Sequence, residues 1–293
     1  MNDVTTSFVL PVYNAAEFLP ETIESVLDQS DGDLELIVVD DGSSDATPAI
    51  LSAYALRDPR VRVLTQPNAG VTRALIAGCA AATGKYIARQ DAGDFSSPNR
   101  LQRQRSALDA NGDVVLVSGW TAYVGPELEP LWIARGDGPT HHGCAMFRRD
   151  AYQRAGGYRA AFYYGQDWEL WYRLLDLGKF QMIEEVLYTA RITPGSISAS
   201  AKAPQEQTAT IVHESVRARA RGESDAAFVE RASRIRPVRG TKSRRTAAPG
   251  LYFIGEALRR NGDARAGRYF REAIGASPFY WRAWLRWMQT RFR

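Results

Sequence analysis

Five aspartates stand where carboxylates could do chemistry. Asp40 and Asp41 close one apolar run, Asp91 and Asp94 follow another, and Asp167 opens a helical stretch. Carboxylate oxygens suit hard cations such as Mg2+ or Mn2+, and a well-placed carboxylate can accept a proton from a reacting group. Aspartate also caps turns and helices, so a single acidic pair says little. Two acidic clusters at the ends of two strands ask for more than turn chemistry. His141 and His142 stand together before Gly143. With three histidines and two cysteines in the chain, a Cys/His zinc cage is not expected. No GxGxxG follows the first apolar run and no GxxxxGK[ST] occurs, so the dinucleotide and P-loop readings lose their main support.

The elements that must position these acids follow from periodicity. Residues 7–13 (SFVLPVY), 35–39 (ELIVV), 61–65, 85–90 and 114–118 read as strands. The unbroken apolar run at 35–39 is that of a strand buried on both faces. Between the strands, residues 16–29, 69–83 and 98–110 read as helices, the first with Leu19, Ile23, Val26 and Leu27 on one face. Strands alternating with helices of this length predict a doubly wound, mostly parallel sheet. Ligands of such sheets bind beyond the carboxyl ends of the strands, where both acidic clusters fall. Residues 165–174 predict a helix whose first turn carries Asp167, an acid favoured there by the helix dipole. Residues 180–192 read as a strand pair, and 236–250 as a linker.

The chain has 293 residues, 45% of them hydrophobic and 24% charged, which excludes collagen-like, low-complexity and wholly disordered classes. No apolar run approaches the ~18–20 residues of a membrane span. Asp3 stands where a signal peptide carries positive charge, and the first apolar run stops at Pro11, so a cytoplasmic setting is expected. The net charge of +4 is uneven: residues 217–245 hold ten Lys/Arg against three acids, leaving −3 for the rest.

Taken in order, these segments resemble glycosyltransferase family 2, the inverting GT-A enzymes. The resemblance is carried by Val9–Asn14 (VLPVYN), Val38–Asp45 (VVDDGSSD), Asn68-Ala69-Gly70 with Arg73, Gly84–Asp94 (GKYIARQDAGD), residues 143–149, Gly156-Gly157-Tyr158 and Gln166–Arg173 (QDWELWYR). It covers about two-thirds of the chain. It implies a GT-A (Rossmann-like) fold and transfer of a sugar from a nucleotide-diphosphate donor, UDP foremost, to a saccharide or lipid-linked acceptor. By motif position, Pro11, Tyr13, Asn14 and Asp41 would line the nucleoside pocket, and Arg73 would face the diphosphate. Asp91 and Asp94 would hold a divalent cation, Mn2+ or Mg2+. Asp167 would be the general base, with His142, Trp171 and Arg173 on the acceptor side. The metal motif departs from the family's Asp-x-Asp-Asp, because Gly93 stands where an aspartate is usual. The base motif reads Gln166-Asp167 instead of Glu-Asp. One like charge fewer beside the base favours ionised Asp167.

On this reading residues 1–200 form the GT-A domain and 201–293 a basic helical extension. Within the extension, 251–278 resembles one tetratricopeptide-type hairpin, a unit that needs a neighbour to cover its second face. In the final stretch, 279–293, Trp281, Trp284, Leu285, Met288 and Phe292 share one helical face beside arginines. That stripe fits either packing on the hairpin or peripheral contact with an anionic membrane on its inner face. The alternatives are a nucleotidyltransferase and, given Gly93, a catalytically silent homologue. The first lacks a basic Gly-rich loop after strand one, where Asn14-Ala15-Ala16-Glu17 stands. A nucleic-acid-binding role is not expected, since the strand-end acids would repel phosphate.

Overall fold

The structure, a computed structural model, describes residues 4–194, 202–236 and 244–291. In chain order its elements are β1 (Thr6–Val12), α1 (Leu19–Leu27), β2 (Leu34–Asp40), α2 (Thr47–Arg57), β3 (Val61–Thr65), α3 (Val71–Ala81), β4 (Tyr86–Arg89) and β5 (Phe95–Ser96). Then come α4 (Arg100–Ala110), β6 (Val114–Val124), β7 (Pro130–Ala134), a 3-10 turn (His142–Cys144), β8 (Met146–Arg148), α5 (Arg149–Arg154), α6 (Gln166–Leu175) and β9 (Lys179–Arg191). The helices α7 (Lys202–Ala220), α8 (Ala226–Ser233), α9 (Arg244–Arg260), α10 (Ala266–Ala276) and α11 (Trp281–Arg291) follow.

The strands form one sheet in the order β3-β2-β1-β4-β8-β6-β9-β5, with β7 on β6. The first four are parallel, and β8 runs antiparallel to both β4 and β6. Alternation along β1 explains the layering. Phe8, Leu10 and Val12 pack with Leu19, Ile23 and Val26 of α1, Leu51 of α2 and Leu101 of α4. On the other face Val9 joins Ile37, Val39 and Ile87 against Ala74, Leu75 and Cys79 of α3 and Leu170 and Leu174 of α6. All seven positions of β1 and of β2 are buried, so each large apolar side chain there contributes about 1.5–3 kcal/mol of burial. Both cysteines are sealed in: Cys79 is 4% exposed and Cys144 fully buried.

One carboxylate sits among these strands. Glu35 of β2 accepts hydrogen bonds from Ser7 Oγ (2.7 Å) of β1, from Thr83 N (2.8 Å) and Oγ1 (2.7 Å) before β4, and from Arg62 Nη1 (2.6 Å) of β3. Burial alone would raise its pKa; the donors outweigh burial and hold it below the ordinary value of 4.5.

The chain divides into two compact units. One takes residues up to 121, 134–190 and 207–236; the other takes 122–133, 191–206 and those from 237 on, as far as they are described. This differs from a division after residue 200, and the reason is packing. In the first unit Phe162 is fully buried with Ile211 and Val212 of α7 and Ala232 of α8, and Arg159 meets Asp225 at 2.6 Å. The basic run of 217–245 is partly compensated: Arg219, Arg221, Arg231 and Arg234 pair with Asp176 and Asp225, Glu223, Glu214 and Glu230.

In the second unit α9 and α10 form a hairpin across the Asn261-Gly262-Asp263 turn, with Ile254, Leu258, Tyr269 and Phe270 in its core. The expected linker at 236–250 is helical from Arg244 on, and 237–243 lie outside the described residues. The strand pair expected at 180–192 is one long strand, β9, because no turn residue interrupts 179–191. Helix α11 covers the hairpin with Ala283 and Trp287, and leaves its expected apolar stripe exposed instead of packing it as core; Phe292 lies outside the described residues. No helix among the described residues is long and apolar enough to cross a membrane.

Candidate active site

The carboxyl ends of β1, β2 and β4 adjoin because their register aligns Val12 with Asp40 and Val9 with Arg89. Pro11 is buried within β1, and Tyr13 emerges past its end, 54% exposed. Asn14 ties this end to the loop after β2: its N–H donates to Ser43 Oγ (2.9 Å) and its Oδ1 accepts from Ser44 N (2.8 Å). Asp40 accepts from Ser43 N (3.0 Å). Asp41, 4% exposed, accepts from Gln66 Nε2 (2.6 Å), Ala69 N (2.9 Å) and Gly70 N (2.8 Å). It therefore fixes the Asn68-Ala69-Gly70 loop that starts α3. Arg73, on the first turn of α3, is exposed.

Beyond β4 the groups crowd. Arg89 is completely buried. Its guanidinium donates to Val9 O and Gln90 O and reaches Asp91 Oδ1 at 2.6 Å and His142 Nε2 at 3.3 Å. Burial would raise the Asp91 carboxyl, but the Arg89 charge holds it below the usual range. Tyr188 of β9 donates to Asp94 Oδ2 (2.9 Å), and its oxygen accepts from Asp91 N (3.0 Å). Asp91, Asp94 and His141 each offer one ligand atom, all within 4.8 Å of one another. Two carboxylates and an imidazole are a donor set that fits a divalent cation. Gly93 itself adopts φ +94°, with its N–H on Thr22 Oγ1 (2.9 Å).

His142 packs inward. Arg89 can only donate, so His142 Nε2 is an acceptor, and it lies 2.7 Å from Tyr158 Oη. Burial, reinforced by Arg89, drops its pKa well below 6.5, so the ring is neutral. Burial lowers His141 as well.

Asp167 enters on the first turn of α6. The helix can start there because Gly165 takes φ +64°, a left-handed conformation that a side chain disfavours. Burial raises the Asp167 carboxyl to about 6, against the pull of the N–H groups of Trp168 and Asp167 at the helix start. Asp91 and Arg89 both act on it electrostatically. Trp171, 6% exposed, meets His142 edge to face at 6.1 Å, and its indole N–H has no protein partner. Arg173 is engaged within the fold: it pairs with Glu169 (2.7 and 2.5 Å) and donates to Ala155 O and to Gly157 O (2.7 Å). It thereby fixes the Gly156-Gly157-Tyr158 turn that carries the partner of His142.

The structure thus gathers Asp91, Asp94, His142, Asp167 and Trp171 around Arg89, with Asn14 and Asp41 binding the neighbouring loops. Arg89, His141 and Tyr188 are members that sequence reasoning did not assign. The first two lie inside motifs already quoted or adjoin them; Tyr188 lies 94 residues beyond Asp94 and only the sheet brings it near.

A parallel half with acids at its strand ends, continued by antiparallel strands and a helix-borne aspartate, is the GT-A glycosyltransferase architecture. The family model described as glycosyl transferase family 2 matches residues 7–135. Bacillus subtilis EpsE is 34% identical over 201 residues, covering 63% of this chain and 72% of that protein. The succinoglycan biosynthesis protein ExoO of Rhizobium meliloti is 43% identical over 116 residues, 39% of this chain and 32% of that one; the chain matches about a third of its length. Among solved structures, the mannosyltransferase PcManGT from Pyrobaculum calidifontis, in complex with GDP-Man and Mn2+, shares the fold. It has a TM-score of 0.58 at 16% identity, covering 97% of this chain and 84% of that one. The chain belongs to glycosyltransferase family 2 and is an enzyme of the glycosyltransferase type.

Proposed function

We propose that the protein transfers a sugar, with inversion, from a nucleoside-diphosphate donor to a hydroxyl of a polysaccharide or lipid-linked precursor. The bond broken joins the anomeric carbon to the diphosphate; the acceptor oxygen attacks from the opposite face, and its proton passes to the Asp167 carboxylate. The observation that carries this reading is Asp167 itself. Burial tunes it to about 6 beside the Asp91–Arg89 pair, which suits a base that must be ionised near neutrality yet basic enough to accept a proton.

In the same reading Pro11, Tyr13, Asn14 and Asp41 frame the nucleoside end, and Arg73 faces the diphosphate. His142 and Trp171 shape the acceptor side, with Arg173 holding the turn behind them. Asp91, Asp94 and His141 would hold a divalent cation, which supplies charge neutralisation of the departing diphosphate. The imidazole favours Mn2+ over Mg2+, since Mg2+ is bound through oxygen. Support for the donor class comes from the GDP-Man and Mn2+ bound by PcManGT, and for a polysaccharide product from the name of ExoO. A cytoplasmic site of action is part of the proposal. The test is a thermal-shift and transfer screen against UDP-, GDP- and dTDP-sugars with and without Mn2+, UDP first. Asp167→Asn should retain donor binding within a few-fold and lower transfer by about 10²–10⁴. Near-normal transfer by that variant would remove Asp167 from the role.

A further inference from the structure

The outer face of α11 is a feature that the transferase reading leaves unused. Trp281, Trp284, Leu285 and Met288 stand at i, i+3, i+4 and i+7, and are 65%, 41%, 44% and 47% exposed. Phe279, just before the helix, is 89% exposed. Single exposed apolar side chains are ordinary; four in one helical stripe, with a fifth just before the helix, mark an interaction surface. The opposite face is already used: Ala283 is fully buried and Trp287 packs on the hairpin core. The stripe is therefore not a displaced part of that core.

Its charge surroundings select the occupant. Residues 279–293 contain four arginines and no acid. Arg286 turns to Glu256 of α9 at 3.0 Å, while Arg282 is exposed on the edge of the stripe, with its guanidinium 5.7 Å from the centre of the Trp281 ring. The indole N–H of Trp284 is held by Pro278 O at 2.9 Å, which leaves no polar demand at that ring. A second copy of this chain, packed face to face about a two-fold axis, would set arginine against arginine with no acid between them. A bilayer with anionic headgroups supplies both an apolar layer for the rings and negative charge for the guanidinium.

We propose that the exposed face of α11 docks on the surface of an anionic phospholipid bilayer, with Phe279, Trp281, Leu285 and Met288 entering the headgroup–acyl boundary and Arg282 at the headgroups. Docking is independent of the transferase reading and is measured without turnover. The full chain should sediment with equimolar phosphatidylcholine–phosphatidylglycerol vesicles and far less with phosphatidylcholine alone. A triple variant, Trp281→Ser, Leu285→Ser and Met288→Ser, should lose at least tenfold in vesicle affinity and keep its melting temperature, since these side chains face water. Arg282→Glu should weaken binding by more than the fivefold or so that one cation provides, and added salt should weaken the wild type. Failure of the wild type to bind anionic vesicles, or equal binding by the triple variant, overturns the proposal. So does a concentration-dependent dimer in the ultracentrifuge that the triple variant abolishes, in the absence of vesicle binding.

Discussion

At the scale of single residues, the site is governed by burial set against a few fixed charges. Burial raises the Asp167 carboxyl to about 6, although Gln166 removes a like charge that would raise it further; desolvation outweighs the missing neighbour. Because the base works ionised, kcat/KM should bend at about pH 6, level off about a unit above it, and fall towards tenfold per unit below it. Gln166→Glu adds a negative charge beside the base and should move that limb upward, a shift read from the pH profile. Gly93 takes a positive φ where the family's metal motif usually carries an aspartate. Gly93→Asp would restore the carboxylate at a conformation that side chains resist, and should cost about 1 kcal/mol or more by thermal or urea denaturation. His141→Ala should weaken direct Mn2+ binding, measured calorimetrically in the absence of donor. The aspartates were legible because they sit at strand ends within motifs. Arg89 reads in sequence as one more strand residue, and nothing local shows that its charge is buried against Asp91. Trp171 and Arg173 share one motif, yet Arg173 serves the turn at Ala155 and Gly157.

At the scale of elements, the parallel half was readable because each strand is a short apolar run closed by a turn, and each helix has a single apolar face. The antiparallel half was less so. Strand β9 runs for 13 residues without a break, but its alternation is loose, and in sequence it reads as a strand pair. Strand β8 is three residues long, too short for any periodicity, and is recognised only through its partners β4 and β6. Helices α7 and α8 look in sequence like the beginning of an extension, yet their apolar positions close over Phe162. Glu35 joins three strands and the turn before β4. Glu35→Gln keeps the shape and removes the charge; it should lower stability by about 2 kcal/mol near neutrality, because hydrogen bonds to a charged group contribute about 1.5–3 kcal/mol. Its pKa is depressed on folding, so this contribution is complete above 4.5 and is lost as pH falls through the folded value. Urea denaturation at neutral and acidic pH should show wild type and variant converging on the acid side.

At the scale of the whole molecule, one chain combines a sheet-bearing unit that holds the candidate chemistry with a helical unit that carries an exposed aromatic face. Saturating donor should raise the melting temperature of the full chain, since a ligand at a hundred times its Kd adds about 2.7 kcal/mol; the triple variant on α11 should show the same increment. The two sealed cysteines have a practical consequence. Burial pushes the Cys79 thiol up to about 12, so almost no thiolate exists at neutral pH, and Cys144 is fully buried. Only the thiolate attacks an alkylating reagent, so the folded chain should ignore maleimides that the denatured chain consumes twice over. The native sequence is in effect a cysteine-free background. A cysteine introduced at Leu285 would take a fluorophore alone, and the polarity that dye senses would measure how deeply the helix is immersed.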